Sequence, residues 1–350
     1  MKRFDQDLAF LLQYENVAWY ECGKVRILDR RVYPTEVSFV ECQSYQEVIQ
    51  AIKDMVTQSA GPYTAVGMGM ALAAYQCKDK SIKEQLEFLK KAAFEIAHAR
   101  VTTANRYQII TEGCYEVAQI ALQSGKDPIQ AIVDRTIQSL NRRYATMETV
   151  ATHLVNHIPD HGTVLTQCFG ETIIGMMCRV AKQKGKQLTF YCAETRPFFQ
   201  GARLTASVTS QMGFPTTVIS DNMVAYAIKN KQIDVFTSAA DTITRDGHIA
   251  NKIGTYQIAI LAKHFGIPYF VTGIPDENKY TKEEIVIEER DPQQVLCYRN
   301  IKNTLDGVCA IYPSFDITPP SLISGIVTDK GVFSPYDLNT YFESETKAFY

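Results

Sequence analysis

Three side chains in this sequence have the chemistry to move protons or hold an anion, and each stands where an apolar run gives way to a turn. Cys168 lies in Thr166-Gln-Cys-Phe-Gly-Glu-Thr172, after a strand-like run and ahead of a helical one. A thiol at a helix N-terminus feels the positive end of the dipole, which lowers its pKa and makes it a usable base or nucleophile. The alternative is a small apolar residue packing a strand end. Asp241 closes Val235-Phe-Thr-Ser-Ala-Ala240, whose small residues let a ligand approach the backbone; the alternative is an N-cap. Lys252, in Ala250-Asn-Lys-Ile-Gly254, is read as a helix start where it meets an anion, or else as a solvated surface charge.

Other groups fit the same kind of ligand. Arg100, Arg196 and Arg203 are phosphate-clamp candidates because a guanidinium fork matches phosphate geometry, although any one of them can equally serve a surface ion pair. Gln200-Gly201-Ala202 offers an amide and an open backbone to sugar hydroxyls, with helix packing as the other use for Gly201. Gly61, Gly67 and Gly69 do not form a dinucleotide fingerprint, and His153 with His157 lacks the Glu and Cys that would make a metal face.

These residues need elements to position them. Leu188 to Ala193 leads into Glu194-Thr-Arg-Pro197, Thr216 to Ile219 into Ser220-Asp221, and Ile233 to Ala239 into Ala240-Asp241. Turns at the carboxyl ends of parallel strands converge on one crevice. Further strand-like runs are Val164 to Thr166, Pro268 to Thr272 and Gly307 to Ile311, with amphipathic helical stretches between most of them. That alternation specifies a parallel sheet with crossover helices.

The first part of the chain differs. Val17 to Tyr20, Val25 to Leu28 and Val37 to Val40 read as a small antiparallel meander, and Ser44 to Met55 as a helix. Gln58 to Gly69 reads as a break, followed by helices over Met70–Cys77, Ile82–Ala99, Ile109–Ser124 and Pro128–Tyr144. The expected fold class is α/β. A mostly helical N-terminal domain with a β meander covers 1–147, and a Rossmann-like doubly wound domain covers 148–350.

A chain of 350 residues with 46% apolar and 21% charged residues has the composition of a soluble globular protein. Its net charge of −2 gives no reason to expect nucleic acid or an acidic membrane as partner. Lys2, Arg3, Asp5 and Asp7 interrupt the start of the chain, so it does not read as a signal peptide. The nine scattered cysteines form no CxxC pair, which argues against a disulfide framework or a structural zinc site and for a reducing, cytoplasmic home.

Several long motifs resemble the methylthioribose-1-phosphate isomerase family. Its relatives are ribose-1,5-bisphosphate isomerases and regulatory subunits of the exchange factor for translation initiation factor two. Glu194-Thr-Arg-Pro, Gln200-Gly-Ala-Arg-Leu-Thr205, Ala250-Asn-Lys-Ile-Gly-Thr-Tyr256 and Pro313-Ser-Phe-Asp-Ile-Thr-Pro-Pro320 match almost letter for letter. Val17-Ala-Trp-Tyr20, Ile27 to Pro34 and Arg100-Val-Thr-Thr-Ala-Asn105 extend the similarity over nearly the whole chain.

The resemblance implies an aldose–ketose isomerase with Cys168 and Asp241 catalytic. It places Arg100, Gln200, Asn251, Lys252 and the loop Gln58, Ser59, Ala60 at a sugar phosphate. It implies no metal or organic cofactor, and a homodimer. Three positions depart from the family: Gln58 replaces a phosphate-binding arginine, Thr242 follows Asp241 where arginine is usual, and Phe169-Gly-Glu171 follows the cysteine. The substrate expected is a 5-substituted ribose 1-phosphate, with Tyr63, Met68, Phe169, Phe198 and Phe199 suggesting an uncharged 5-substituent or ordinary core packing. Ribose 1,5-bisphosphate isomerisation, or a non-catalytic regulatory sensor, are the alternatives.

Overall fold

Alternating polarity near the start of the chain produces three strands, β1 (Ala18–Glu21), β2 (Lys24–Leu28) and β3 (Phe39–Cys42), paired antiparallel in that order. They belong to a computed structural model that describes residues 3–100, 104–298 and 301–343. Helix α1 (Tyr45–Lys53) starts where the Ser44 side chain accepts from Glu47 N, and it buries Val48 and Ile52. Helices α2 (Gly61–Gln76), α3 (Ile82–Ala97), α4 (Ala104–Gln123) and α5 (Pro128–Asn156) follow. A capping box between Ser81 and Glu84 opens α3.

The stretch Gln58 to Gly69 is not a break throughout. Its glycines lie inside α2, which is buried on every side from Ala65 to Ala74. They are there because neighbours come too close for a side chain. A Cβ at Gly67 would meet Thr136 Oγ1 at 2.5 Å, and one at Gly69 would meet Val48 Cγ1 at 3.1 Å. Read as punctuation, these glycines hide the helix; read as packing, they explain it.

The described chain divides into two compact units between Thr146 and Met147, within the span of α5. The second unit is built on strands β4 (Thr163–Gln167), β5 (Thr189–Ala193), β6 (Thr216–Ile219), β7 (Val235–Ala239), β8 (Thr242–Ile243), β9 (Ile249–Lys252) and β10 (Tyr269–Thr272). A short hairpin, β11 (Cys297–Tyr298) with β12 (Ile301–Lys302), precedes β13 (Phe315–Thr318), β14 (Gly325–Thr328) and β15 (Gly331–Phe333). Helices α6 (Thr172–Gln183), α7 (Ala206–Gln211), α8 (Val224–Asn230) and α9 (Thr255–Phe265) lie between strands.

The main sheet runs β15-β14-β10-β7-β4-β5-β6, parallel except for β15. Its chain path turns back once: β5 and β6 extend from β4 on one side, and β7, β10 and β14 build the other. A separate small sheet, β13-β9-β8, is antiparallel.

One expected strand is absent. Gly307 to Ile311 is irregular, and the place beside β10 belongs to Gly325–Thr328. Val308 is 47% and Ile311 81% exposed, whereas Ile326 and Val327 are fully buried. Apolar content makes a central strand only where both faces are covered. No helix among the described residues is long and apolar enough to cross a membrane.

The α2 contact gives a direct test. Gly67→Ala should cost about 1–3 kcal/mol of unfolding free energy by overpacking, and Thr136→Ala should recover part of it in the double variant. Urea unfolding midpoints measure both; a Gly67→Ala protein as stable as the parent would contradict this packing.

Candidate active site

Register places the loops that carry the candidate groups side by side. Thr166 pairs with Thr237 across β4 and β7, Gln167 with Ala193 across β4 and β5, and Ala193 with Ile219 across β5 and β6. Cys168, Thr195, Asp221 and Asp241 therefore leave the carboxyl ends of four adjacent strands. Cys168 N donates to Thr195 Oγ1 at 2.9 Å, and the Asp221 carboxylate accepts from Thr195 N and Arg196 N, each at 2.8 Å. Thr205 Oγ1 donates to the Cys168 carbonyl. Asp241 N donates to Ala250 O at 2.9 Å, which ties its turn to β9.

The backbone here is strained. Cys168 (φ 60°), Glu171 (φ 51°), Thr195 (φ 65°) and Phe199 (φ 56°) occupy the left-handed region without being glycine. Such conformations persist only where surrounding contacts fix them, and they gather at sites that bind or react. Gly201 is required by a close approach, since a Cβ there would sit 1.8 Å from Ala193 O. Gln200, just before it, is 4% exposed, and its Oε1 has no hydrogen-bond partner among the described residues.

Lys252 is neither at a helix start nor solvated. It ends β9, opposite Phe315 of β13, and is 5% exposed with Nζ 4.6 Å from the Phe315 ring centroid. Asp316 fixes the turn that follows, accepting from Gly254 N at 2.7 Å and Tyr256 N at 3.1 Å. Asn251 Nδ2 donates to Thr255 Oγ1 at 3.0 Å, Thr255 Oγ1 donates to Gln167 Oε1 at 3.0 Å, and Gln167 Nε2 donates to Ile253 O at 3.0 Å. This network joins the last residue of β4 to the turn after Lys252.

The Cys168 thiol is pushed up to about 11, contrary to the lowering expected from a helix dipole. Desolvation by the surrounding protein is the largest cause, although the residue as a whole is only half-buried; the Lys252 ammonium opposes it, and Asp241 and Asp221 add to it. The dipole is weak here because α6 begins only at Thr172, beyond the turn. Burial also lifts Asp316 to about 6, against the pull of its two backbone donors and Lys252. Tyr312 rises to about 12 through burial, with Arg290 opposing and Cys168 contributing. The Asp241 carboxylate and the Lys252 ammonium thus both act on the thiol at the carboxyl end of the sheet. That combination can pass a proton beside a bound anion.

The remaining candidates fall elsewhere. Gln58, Ser59, Ala60 and Arg100 belong to the first unit. Gln58 is 1% exposed, Ser59 has φ 60°, and Ala60 is the N-cap of α2. Arg30 Nη1 donates to Gln58 O at 2.6 Å, and Arg143 Nη2 donates to Ala60 O at 3.5 Å. Arg100 is half-buried, and positions 101–103 of its motif lie outside the described residues.

Two clamp candidates hold the chain itself. Arg203 Nε donates to Phe198 O at 2.9 Å, and Arg196 Nη2 to Val295 O at 3.0 Å. An open hollow of about 390 Å³ lies beside Asp316, lined by Ile253, Gly254, Tyr256, Gln257, Ile260 and Leu261, with neither Cys168 nor Asp241 in its wall. Sequence reasoning missed Asp316, Tyr312 and Arg290; only Asp316, inside the Pro313 to Pro320 motif, carried a signal.

Thiol titration tests this electrostatic arrangement. At neutral pH iodoacetamide should label exposed Cys22 and Cys309 well before Cys168, whose labelling should accelerate as pH rises towards about 11. Lys252→Met removes the opposing cation, so it should raise the thiol pKa further and slow labelling at any given alkaline pH. Peptide mass spectrometry reads each site. Cys168 labelling as fast as Cys309 at neutral pH would refute the picture.

Comparison with known proteins gives the wider setting. Residues 62–335 match the model of the Initiation factor 2 subunit family. A methylthioribose-1-phosphate isomerase from Desulforamulus reducens is 32% identical over 333 residues, covering 91% of this chain and 96% of that one. The crystal structure of 5-methylthioribose 1-phosphate isomerase from Pyrococcus horikoshii OT3 superposes with a TM-score of 0.79 at 29% identity, over 94% of this chain and 96% of that one. The structure of translation initiation factor eIF-2B, subunit delta, from A. fulgidus gives 0.78 at 28% identity, over 91% and 96%.

Proposed function

This chain belongs to the Initiation factor 2 subunit family, among its methylthioribose-1-phosphate isomerases, and on that footing we propose that it converts a 5-substituted ribose 1-phosphate into the corresponding ribulose 1-phosphate. The observation that carries the reading is the pairing of Cys168 and Asp241. They leave adjacent strands at the seam where the strand order turns back, close enough for each charge to act on the other, with buried Lys252 in the same group.

Phosphate on C1 locks the sugar as a ring, so the reaction must break the bond between C1 and the ring oxygen while phosphate stays attached. Asp241, holding a proton, gives it to the ring oxygen as that bond breaks, leaving electron-poor C1 stabilised by the phosphate-bearing oxygen. Cys168, as thiolate, takes the proton from C2, and the electrons form the C1–C2 double bond of an enediolate-like state. The thiol then returns this proton to C1, while the Asp241 carboxylate removes the proton from the oxygen on C2, giving the ketone. Both groups end as they began, and the net change is one hydrogen moved from C2 to C1 and one moved from the C2 hydroxyl to the former ring oxygen, now the C4 hydroxyl.

The cycle needs only one proton shared between thiol and carboxylate. Lys252 favours the thiolate microstate, since its ammonium is the leading charge that lowers the Cys168 pKa. In this reading Gln200, Asn251 and Lys252 hold sugar and phosphate, and no metal or organic cofactor takes part.

A substrate panel tests the proposal. Wild-type protein should form ketose from 5-methylthioribose 1-phosphate or 5-deoxyribose 1-phosphate faster than from ribose 1,5-bisphosphate. Cys168→Ser and Asp241→Asn should each lower kcat by about 10²–10⁴-fold with melting temperature little changed. Retained turnover in Cys168→Ser would remove the thiol from the mechanism. Stabilisation by these sugars without any turnover would favour the regulatory sensor.

A further inference from the structure

Most fully buried tyrosines here spend their hydroxyl on a visible partner. Tyr14 bonds Asn141 Oδ1 at 2.8 Å, Tyr45 bonds Glu95 Oε2 at 2.7 Å, Tyr144 bonds Leu12 O at 2.7 Å, Tyr269 meets Ser238 Oγ at 2.7 Å, and Tyr341 bonds Asp329 Oδ1 at 2.9 Å. Tyr312 differs. It is 2% exposed, and its hydroxyl has no hydrogen-bond partner among the described residues. A buried hydroxyl left in this state lowers stability, so its retention asks for another use.

Its position suggests that use. Tyr312 O accepts from Arg290 N at 2.9 Å, Ser314 N donates to Glu288 O at 2.9 Å, and Glu289 forms a bridge with Pro313. The residue is therefore held from both sides by an antiparallel backbone pairing. Its ring lies 6.2 Å from that of Phe198, centroid to centroid. Phe198 belongs to the same loop as Thr195, whose Oγ1 accepts from Cys168 N, and Arg203 fixes the Phe198 carbonyl. The phenol thus stands against the loop that holds the thiol, as deeply buried as Gln200, Asn251 and Lys252.

We infer that the Tyr312 hydroxyl is a substrate-binding group, donating a hydrogen bond to a sugar-phosphate oxygen where negative charge gathers as Cys168 removes the neighbouring carbon-bound proton. This rests on the isomerase reading above. The phenol gives up no proton in this role: burial holds its pKa up at about 12, so it stays a donor across the neutral range. A fixed donor aimed at developing charge stabilises the transition state more than the ground state.

Tyr312→Phe removes the oxygen and keeps the ring. In a coupled assay on 5-methylthioribose 1-phosphate, the variant should lose tenfold or more in kcat/KM, carried mainly by kcat, the scale of one lost hydrogen bond. Its melting temperature should equal or exceed that of the parent, because an unpaired buried hydroxyl is being deleted. A folded Tyr312→Phe protein with unchanged kcat/KM would overturn the assignment. So would a variant that melts lower yet keeps full activity per folded molecule, since the hydroxyl would then be structural. If wild-type protein turned over none of the sugar phosphates, the isomerase reading itself would fail and this inference with it, whereas an active parent with an equally active variant defeats this inference alone.

Discussion

Where β4 and β7 lie side by side, the chain has returned from building β5 and β6 on the far side, and crossovers that diverge from that seam leave it open at its carboxyl end. Whatever follows β4 and β7 must line the opening, and these are the turns of Cys168 and Asp241. Residues separated by more than seventy positions become neighbours through strand order alone. The loop after β5 then closes against the turn after β4 through Thr195, and β9 with β13 brings Lys252 beneath.

Holding polar groups at such a seam is costly. Lys252 is nearly enclosed, the thiol is pushed well above its ordinary range, and several residues keep a left-handed backbone without being glycine. The enclosed ammonium and the left-handed residues disfavour the folded state and would not persist without supporting contacts, whereas the raised thiol pKa costs stability only above the ordinary thiol pKa of 9.0. The support is specific: the Gln167–Thr255–Asn251 network ties two strands, Asp316 secures the turn after Lys252, and Asp221 takes both amides at Thr195 and Arg196. Preorganisation of this kind spends stability on fixed geometry, which is what proton transfer in a dry site demands.

The parallel sheet was legible because strand-like runs ending in polar turns recur with helical stretches between them. Local patterns of period two and 3.6 survive in the sequence whatever the tertiary structure does. What depended on distant neighbours was not legible. Gly67 and Gly69 looked like a break because Thr136 and Val48, the side chains that demand them, are far away in sequence. Cys168 was expected to have a lowered pKa because its place before a helix is local, while the desolvation that raises it comes from distant parts of the chain. Lys252 looked like a surface charge for the same reason, since the strand pairing that sets it against Phe315 joins distant parts of the chain. Tyr312 had no signal at all: an unpaired hydroxyl is a property of surroundings, invisible in a lone tyrosine between Ile311 and Pro313.

The aromatic residues near Cys168 also bear on the proposed substrate. Phe198 and Phe199 read from sequence as apolar walls, yet each has a guanidinium over its ring, Arg290 at 5.7 Å and Arg196 at 5.2 Å from the centroid. A stacked guanidinium keeps its N–H edge available for oxygen ligands. Here those edges are partly committed: Arg290 Nε lies 3.3 Å from a Glu288 carboxylate oxygen, and Arg196 Nη2 donates to Val295 O. A second phosphate dianion would have to compete with Glu288 for Arg290, and the like charge of that carboxylate would oppose its approach. A thioether or methyl group meets no such opposition and gains from the ring faces themselves. Under the proposed reading, a 5-position bordered by Phe198 would therefore take an uncharged substituent more readily than a second phosphate.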